Sequence, residues 1–476
     1  MAEGVKVATL GGGEVEITGE ELRDLGNRLR GRVVTPADAD YHQVRRVWNG
    51  MVDKRPALIV RCRGVADVKA AVDFARERGL LTAVRGGGHN VAGRAVVNQG
   101  LVIDLSDMRG VYLDPAGRVL RAEAGATLGD VDHETAPFGL ALAMGVVAET
   151  GLAGLTLHGG YGWLSRAHGL AVDNLISAQV VTADGRVLNA GARDHADLFW
   201  ALKGGGGNFG VVTSLEYHVH PVPDTNWVAL VMYDLAEAWP VLRGLQDYMR
   251  DAPRELAVLA SFWAVPEHPD VPKNLWGKDT LWVAGVFHGR PELGEEAVRP
   301  LKELGTAMAD LSHTTDWLGV QSLFDGEYPD GRRYYWKATY ADGLTQEMVN
   351  YLAAVTPQRP SPLSSLDVWF LGGKMADMHP ASTAFAQRAK PNLLALESNW
   401  DDPSADRTNI LWTREVFGRL RDMAGAGAYL NFPGFGEEGE ELLKAAYARN
   451  LARLKEIKKI YDPGNFFQGN FNIAPA

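Results

Sequence analysis

Along the chain of 476 residues, apolar and polar positions alternate in two textures. Between Leu58 and Gly88 the pattern is strand, helix, strand. ALIVRC is a short apolar run, GVADVKAAVDFARERG carries apolar residues at helical spacing, and LLTAVR is apolar again before three glycines. GLVIDLS and RVLRAEAGA read as further strands, and TLGDVDHETAPFG as a short helix opened by Thr127. LISAQVVTADGRVLNA reads as a hairpin turning at Asp184-Gly185. VVTSLEYHVHPVP alternates and stops at Pro221 and Pro223, which puts an expected domain boundary after residue 221.

Beyond that point the texture is aromatic, with ten of the 13 tryptophans between Trp227 and Trp412. NWVALVMYDL, LAVLASFWAV, TLWVAGVFHG, RYYWKATYA, SLDVWFLGG and LLALESNW read as strands. EAWPVLRGLQDYM, ELGEEAVRPLKELGTAMAD and TQEMVNYLAAV read as helices between them. Most of these rings belong in a core; a few are expected to line a cleft, where rigid aromatic faces bind rings and sugars. EGEELLKAAYARNLARLKEIKKI is amphipathic and reads as one terminal helix, followed by YDPGNFFQGNFNIAPA, whose composition is unusual for a solvated tail. The change of texture after residue 221 divides the chain into two unlike parts.

Composition narrows the function by exclusion. With 48 Lys plus Arg against 59 Asp plus Glu, the net charge is −11, and no basic run offers a surface for nucleic acid or an anionic membrane. No apolar stretch approaches the roughly 20 residues that span a bilayer. MAEGVKVATLGGGEVEI lacks a basic region followed by an apolar core, so a cytoplasmic protein is expected. The single cysteine, Cys62, allows no intramolecular disulfide. The 12 histidines show no metal-ligand spacing, so no metal is expected, and Walker A, H-E-x-x-H and G-x-S-x-G motifs are absent.

GGGGNFG at 204–210 satisfies G-x-G-x-x-G formally, but a Rossmann site needs a strand before it and a helix after it. Here ADLFWALK, which reads as helix, precedes it and VVTSLEYHV, which reads as strand, follows, so that reading is rejected. Three glycine-rich segments remain: RGGGH, ETGLAGLTLHGGYGWLSR and GGGGNFG. Each alone could be a tight turn. Together they suggest backbone wrapped around a long charged ligand such as a dinucleotide.

The order RGGGH, TGLAG…HGGYG…R…HGLAVDN, GNFGVV and a terminal YDPxNxFxxNxN resembles the berberine bridge enzyme-like FAD-linked oxidases, from about Pro36 to Ile473. The resemblance implies the α+β vanillyl-alcohol-oxidase fold: a two-part FAD-binding domain over 1–221, a substrate domain over 222–430 with an antiparallel sheet flanked by helices, and a C-terminal segment over 431–476 that returns to the FAD domain. It implies FAD bound covalently by His89 to the flavin 8α-methyl. Arg85, Gly86, Gly87, Gly88 and Asn90 would wrap the pyrophosphate and flavin edge, and Thr150, Gly151, Gly154, Gly159 and Gly160 would form a second loop. Asn174 would sit beside the ribose, Gly210 and Val212 on the adenine side, and Asn470 and Asn472 near the isoalloxazine.

Two departures matter. Many relatives form a second flavin bond from a cysteine where this chain has Val147, so a single histidyl link is expected. Relatives also often end Y-x-N-Y, the second tyrosine being the base; here the stretch is Tyr429-Leu430-Asn431-Phe432. A substitute must come from elsewhere. Asp367, among Leu, Val, Trp and Phe, is costly to bury without purpose or partner; its alternative is an ion pair with an arginine or lysine. Tyr429 is a second candidate, and its alternative is to support Asn431. Lys337 is expected to keep its head in solvent. Thr150 stands where relatives leave room for O₂, which favours an oxidase acting on a small organic molecule, including oxidative cyclisation in specialised metabolism. A dehydrogenase with another acceptor, or a flavin-binding scaffold without redox turnover, are the alternatives.

Overall fold

The computed structural model describes residues 4–425, 427–436 and 439–476. The strand–helix–strand run folds into a four-stranded sheet ordered Arg32–Val34, Leu58–Arg61, Leu101–Asp104, Thr82–Arg85. Leu58–Arg61 and Thr82–Arg85 both run parallel to Leu101–Asp104, because the helix Val65–Glu77 returns the chain to the same edge. A second, antiparallel sheet of five strands contains the hairpin Leu175–Val181 and Val187–Gly191, with Val211–His218, Val119–Glu123 and Val111–Asp114. Thr127 caps the helix Leu128–Thr135 in a reciprocal pair with Asp130.

At Asn226 the chain enters an eight-stranded antiparallel sheet that contains all six aromatic-rich runs. Its six long strands are largely buried on both faces, which is why they read as apolar runs. Val258, Ala260 and Phe262 face the helices Ala238–Met249, Gln346–Val355 and Asp406–Ala424. Leu259 and Trp369 face the other way, into a cluster with Trp163 and Leu170 of the first part of the chain. The antiparallel sheet flanked by helices is the arrangement expected.

Three local expectations need correction, and one helix adds to them. The stretch ELGEEAVRPLKELGTAMAD is helical only over Gly294–Lys302; Ala307–Asp310 instead pairs with the edge of Asn226–Asp234. The terminal helix is two, Glu440–Tyr447 and Asn450–Tyr461, broken at Ala448 with φ 47°. The helix Asp406–Ala424, 19 residues long, was not anticipated because charged positions interrupt its apolar stripe. Lys337 does not reach solvent: it lies on the helix-facing side of its strand, 4.9 Å from the Phe417 ring centroid, and burial lowers its pKa to about 8.

The tail returns to the first part of the chain. Phe466, Phe467, Phe471 and Ile473 join its core. Asn208, in GGGGNFG, donates to the Phe471 carbonyl at 3.1 Å and accepts from the Ile473 amide at 3.0 Å. The buried Lys458 Nζ donates to the Asn208 carbonyl at 2.7 Å and to Asp462 at 2.6 Å. The helix Ala196–Leu202 before that loop and the strand Val211–His218 after it give the inverse of a Rossmann unit.

Candidate active site

A cavity of about 870 Å³ lies between the glycine loops and the inner face of the large sheet. At one end its wall is backbone. Gly87 and Gly151 bring the first two loops together so closely that a Cβ on Gly87 would stand 2.4 Å from the Gly151 Cα. Gly86, Gly88 and Asn90 line the same end, as do Thr150, Gly154, Gly210, Val212 and Asn470. Beside Gly154 a Cβ would meet nothing within 4 Å, so the backbone there is open to a ligand.

Other expected cofactor residues sit behind this wall. Arg85 is buried, donating to Asp104 at 2.9 Å and to the Val44 and Arg46 carbonyls at 2.6 and 3.0 Å. Its guanidinium thus braces the loop instead of wrapping a pyrophosphate. Gly159 and Gly160 are packing positions, where a Cβ would meet Phe385 at 2.8 Å and Ala171 at 2.6 Å. The Asn174 amide donates to the Leu170 carbonyl at 2.9 Å and its oxygen meets His220 Nε2 at 2.6 Å. Asn472 does not line the cavity either.

His89 follows the third glycine, which has φ 72°. Its ring stacks on Trp48, centroids 3.8 Å apart, and the other face of Trp48 stacks on Tyr334 at 3.7 Å. Burial lowers the imidazole pKa to about 3, so the ring is neutral, and among the described residues its buried Nε2 has no hydrogen-bond partner. A neutral imidazole with an unpartnered Nε2 on a backbone cradle suits attachment to an electrophilic cofactor carbon. Val147 lines the wall, whereas Cys62 is buried in the core and its thiol is pushed far up by burial.

The opposite end belongs to the sheet. Ser261, Asp367 and Ala395 stand opposite one another on three adjacent strands, and Ser365 faces Glu397. Asp367 is buried, accepting from Ser261 Oγ at 2.5 Å and Ser365 Oγ at 2.9 Å, with no ion pair to arginine or lysine among the described residues. Burial raises its pKa to about 6 against the pull of the two hydroxyls. The Tyr429 hydroxyl accepts from Asn431 Nδ2 at 3.0 Å, and burial raises it to about 12. Phe432 completes the wall, edge-on to Trp336 at 5.2 Å.

Several lining residues escaped the sequence reading. His158 lies within the quoted TLHGGYG, buried, with Nδ1 3.2 Å from the Gly154 carbonyl. Arg94 donates to the Asn470 carbonyl at 3.1 Å and lies over the Phe471 ring. Glu397 carries the same signal as Asp367, a carboxyl inside an apolar strand.

Comparison with known proteins fits this geometry. A family model described as FAD binding domain matches residues 56–191, and one described as berberine and berberine like matches residues 428–474. An FAD-linked oxidoreductase of Dictyostelium discoideum is 30% identical over 456 residues, covering 94% of this chain and 95% of that one. The chain belongs to the berberine bridge enzyme-like FAD-linked oxidoreductases. This oxidoreductase is equally 30% identical to (R)-6-hydroxynicotine oxidase of Paenarthrobacter nicotinovorans, over 94% of this chain and 97% of that one. The crystal structure of 6-hydroxy-D-nicotine oxidase from Arthrobacter nicotinovorans superposes with a TM-score of 0.83 at 28% identity, covering 94% and 98%. A glucooligosaccharide oxidase of Acremonium strictum, described as carrying 6-S-cysteinyl, 8α-N1-histidyl FAD, shares the fold with a TM-score of 0.84 at 24% identity, covering 96% and 99%. The protein is therefore an enzyme that uses FAD, and its fold is that of the vanillyl-alcohol-oxidase group. Among the described residues no helix is long and apolar enough to cross a membrane.

Proposed function

We propose that this oxidoreductase is an oxidase of a small organic molecule, with FAD attached by a single covalent bond to His89 and O₂ as electron acceptor. The observation that carries the reading is one cavity with two chemically distinct ends. A neutral imidazole with an unpartnered Nε2 stands on a backbone cradle at one end and a buried carboxylate, Asp367, at the other.

When bound, FAD supplies a two-electron acceptor for hydride. The chain supplies the rest. The Gly86–Gly88 and Thr150–Gly154 backbones hold the cofactor, and Trp48 fixes the His89 ring plane. Asp367 is ionised above about pH 6 and takes the proton that leaves substrate O–H or N–H. Tyr429, a phenol held by Asn431, stays protonated at neutral pH and orients substrate as a hydrogen-bond donor. Trp336, Trp369 and Phe432 exclude water from the reacting bond. Thr150 and Val147 leave a small-residue path at the cradle, which supports O₂ access.

Acid precipitation of the purified protein tests the linkage. Yellow colour in the pellet, with one added FAD by intact mass, is expected, and the colour moves to the supernatant in His89→Ala. Dithionite-reduced enzyme should reoxidise rapidly in air; slow reoxidation would mean a dehydrogenase with another acceptor.

A further inference from the structure

Asp367 and Glu397 are diagonal neighbours on adjacent antiparallel strands, Asp367 opposite Ala395 and Glu397 opposite Ser365, with both side chains on the cavity face. Such diagonal positions lie roughly 7–8 Å apart at the backbone, within reach of long side chains. Both are buried. Asp367 accepts from Ser261 and Ser365, one hydroxyl on each oxygen. Glu397 accepts one bond, 2.7 Å from the Tyr328 hydroxyl. Trp48 Nε1 in turn donates to the Tyr328 carbonyl at 2.9 Å, which holds that loop in place.

Two buried carboxyls this close do not both ionise. Hydroxyl donors on both oxygens favour the anion at Asp367. Burial and the Asp367 charge push Glu397 well above the usual carboxyl range, so the proton belongs on Glu397. The groups that face the pair are Ser261, Ser365, Tyr328 and, beside Tyr328, Glu327. None is a cation. Among the described lining residues there is no lysine and one arginine, Arg94, which sits at the cradle end against Asn470 and Phe471. Four carboxyls line the cavity: Asp270, Glu327, Asp367 and Glu397. The flanking surface is aromatic, with Trp263, Trp282, Trp336 and Trp369, and indole faces attract cations.

We infer that Asp367 and Glu397 share one proton, leaving the pair a single negative charge that selects a protonated amine on an apolar or aromatic body. This deepens the oxidoreductase reading and rests on it for the redox step. The ammonium docks on the Asp367 carboxylate and an N–H proton passes to it. The carbon beside nitrogen then loses its hydrogen as hydride to the flavin. The C–H electron pair leaves with the hydride, the nitrogen lone pair forms the C=N bond, and the product is an iminium ion. The carboxyl pair then holds two protons, its own and the one from nitrogen, and two electrons rest on the cofactor, so charge and atoms balance. Glu397 serves as a positioning residue that sets this charge at one.

The test uses holoenzyme and a fixed-charge probe, phenethyltrimethylammonium, against a neutral near-isostere, phenethyl dimethyl carbinol, by calorimetry. At about pH 7.5 the cation should bind at least about tenfold tighter. That preference should vanish at about pH 5, below the range where Asp367 ionises. It should also vanish in Asp367→Asn and survive in Glu397→Gln, whose amide mimics the protonated acid. Equal binding of the two probes, or binding of neither, overturns the inference. So does a preference that persists in Asp367→Asn, or one lost in Glu397→Gln. Should Asp367→Asn fail to fold, the wild-type pH shift and Glu397→Gln still decide. Failure of the oxidase reading shows elsewhere, as flavin that does not reoxidise in air, and leaves the calorimetry untouched.

Discussion

Trp48 lies flat on His89, with ring planes 19° apart, and carries Tyr334 on its opposite face at 11°. The stack joins the glycine loop to a strand of the large sheet, so the two walls of the cavity meet at the histidine. Trp48→Ala removes a buried aromatic and should cost about 3–5 kcal/mol of stability. It should also lower the fraction of flavin that stays with the acid-precipitated pellet, because the ring is no longer held in one plane. Stability loss without any loss of pellet colour would assign Trp48 to packing alone.

Among the described residues no cation pairs with Asp367, which leaves its charge to act on substrate. Asp367→Asn should slow anaerobic flavin reduction by substrate roughly 10²–10⁴-fold, the span of general-base effects. In the wild type, the same rate should fall with acid as pH passes below about 6, since the carboxyl must be ionised to accept a proton. Stopped-flow reduction across pH checks both, and an unchanged rate in the variant removes Asp367 from the chemistry.

Gly87 and Gly151 meet backbone to backbone. Gly87→Ala would force a Cβ to within 2.4 Å of the Gly151 Cα, and backbone there cannot yield cheaply. FAD content per chain, read from absorbance, should fall severalfold. Gly154→Ala, whose Cβ meets no protein atom within 4 Å, should leave the fold intact and weaken only FAD loading.

Acid should weaken the fold through histidines held neutral. His288 joins His168 and His220 where the two halves of the chain meet, and burial lowers it to about 3. The unfolded chain binds that proton near pH 6.5, so the stability is present above 6.5 and is lost as pH falls towards 3. The slope is up to about 1.4 kcal/mol per pH unit per group. His288→Gln should flatten Tm against pH in this window; an unchanged slope would mean another group carries it.

Lys458 and Asp462 are both fully buried at one end of the C-terminal helix, and the lysine also holds the Asn208 and Phe467 carbonyls. Lys458→Met leaves an unpaired carboxylate and should cost about 3–5 kcal/mol in chemical denaturation. FAD content should drop with it, since Asn470 reaches the cradle on this tail.

Much of the site was legible because chemistry interrupts pattern. His89 after three glycines, and Asp367 inside SLDVWFLGG, each break a run that packing alone would not break. Glu397 broke LLALESNW in the same way, but nothing linear pairs it with Asp367; that takes the register of two strands. Arg85, Asn174, Gly159 and Gly160 carried motif signals yet spend their polar or small atoms on protein. Motif membership is a property of neighbours in sequence, and cavity lining is a property of neighbours in space.

Periodicity and punctuation were enough for the strands, the hairpin at Asp184-Gly185, the Thr127 cap and the inverted glycine loop, because each follows from contacts a few residues long. The aromatic face, the single cysteine and the glycine cradle followed from residue type. The break at Ala448, the strand Ala307–Asp310 and the burial of Lys337 did not, since each depends on a partner far along the chain. The same holds for the charge on Asp367. Its ionisation is set first by exclusion of water, then by Ser261, more than 100 residues away, and by Ser365, and the buried site and the Ser261 contact exist only once the sheet has formed.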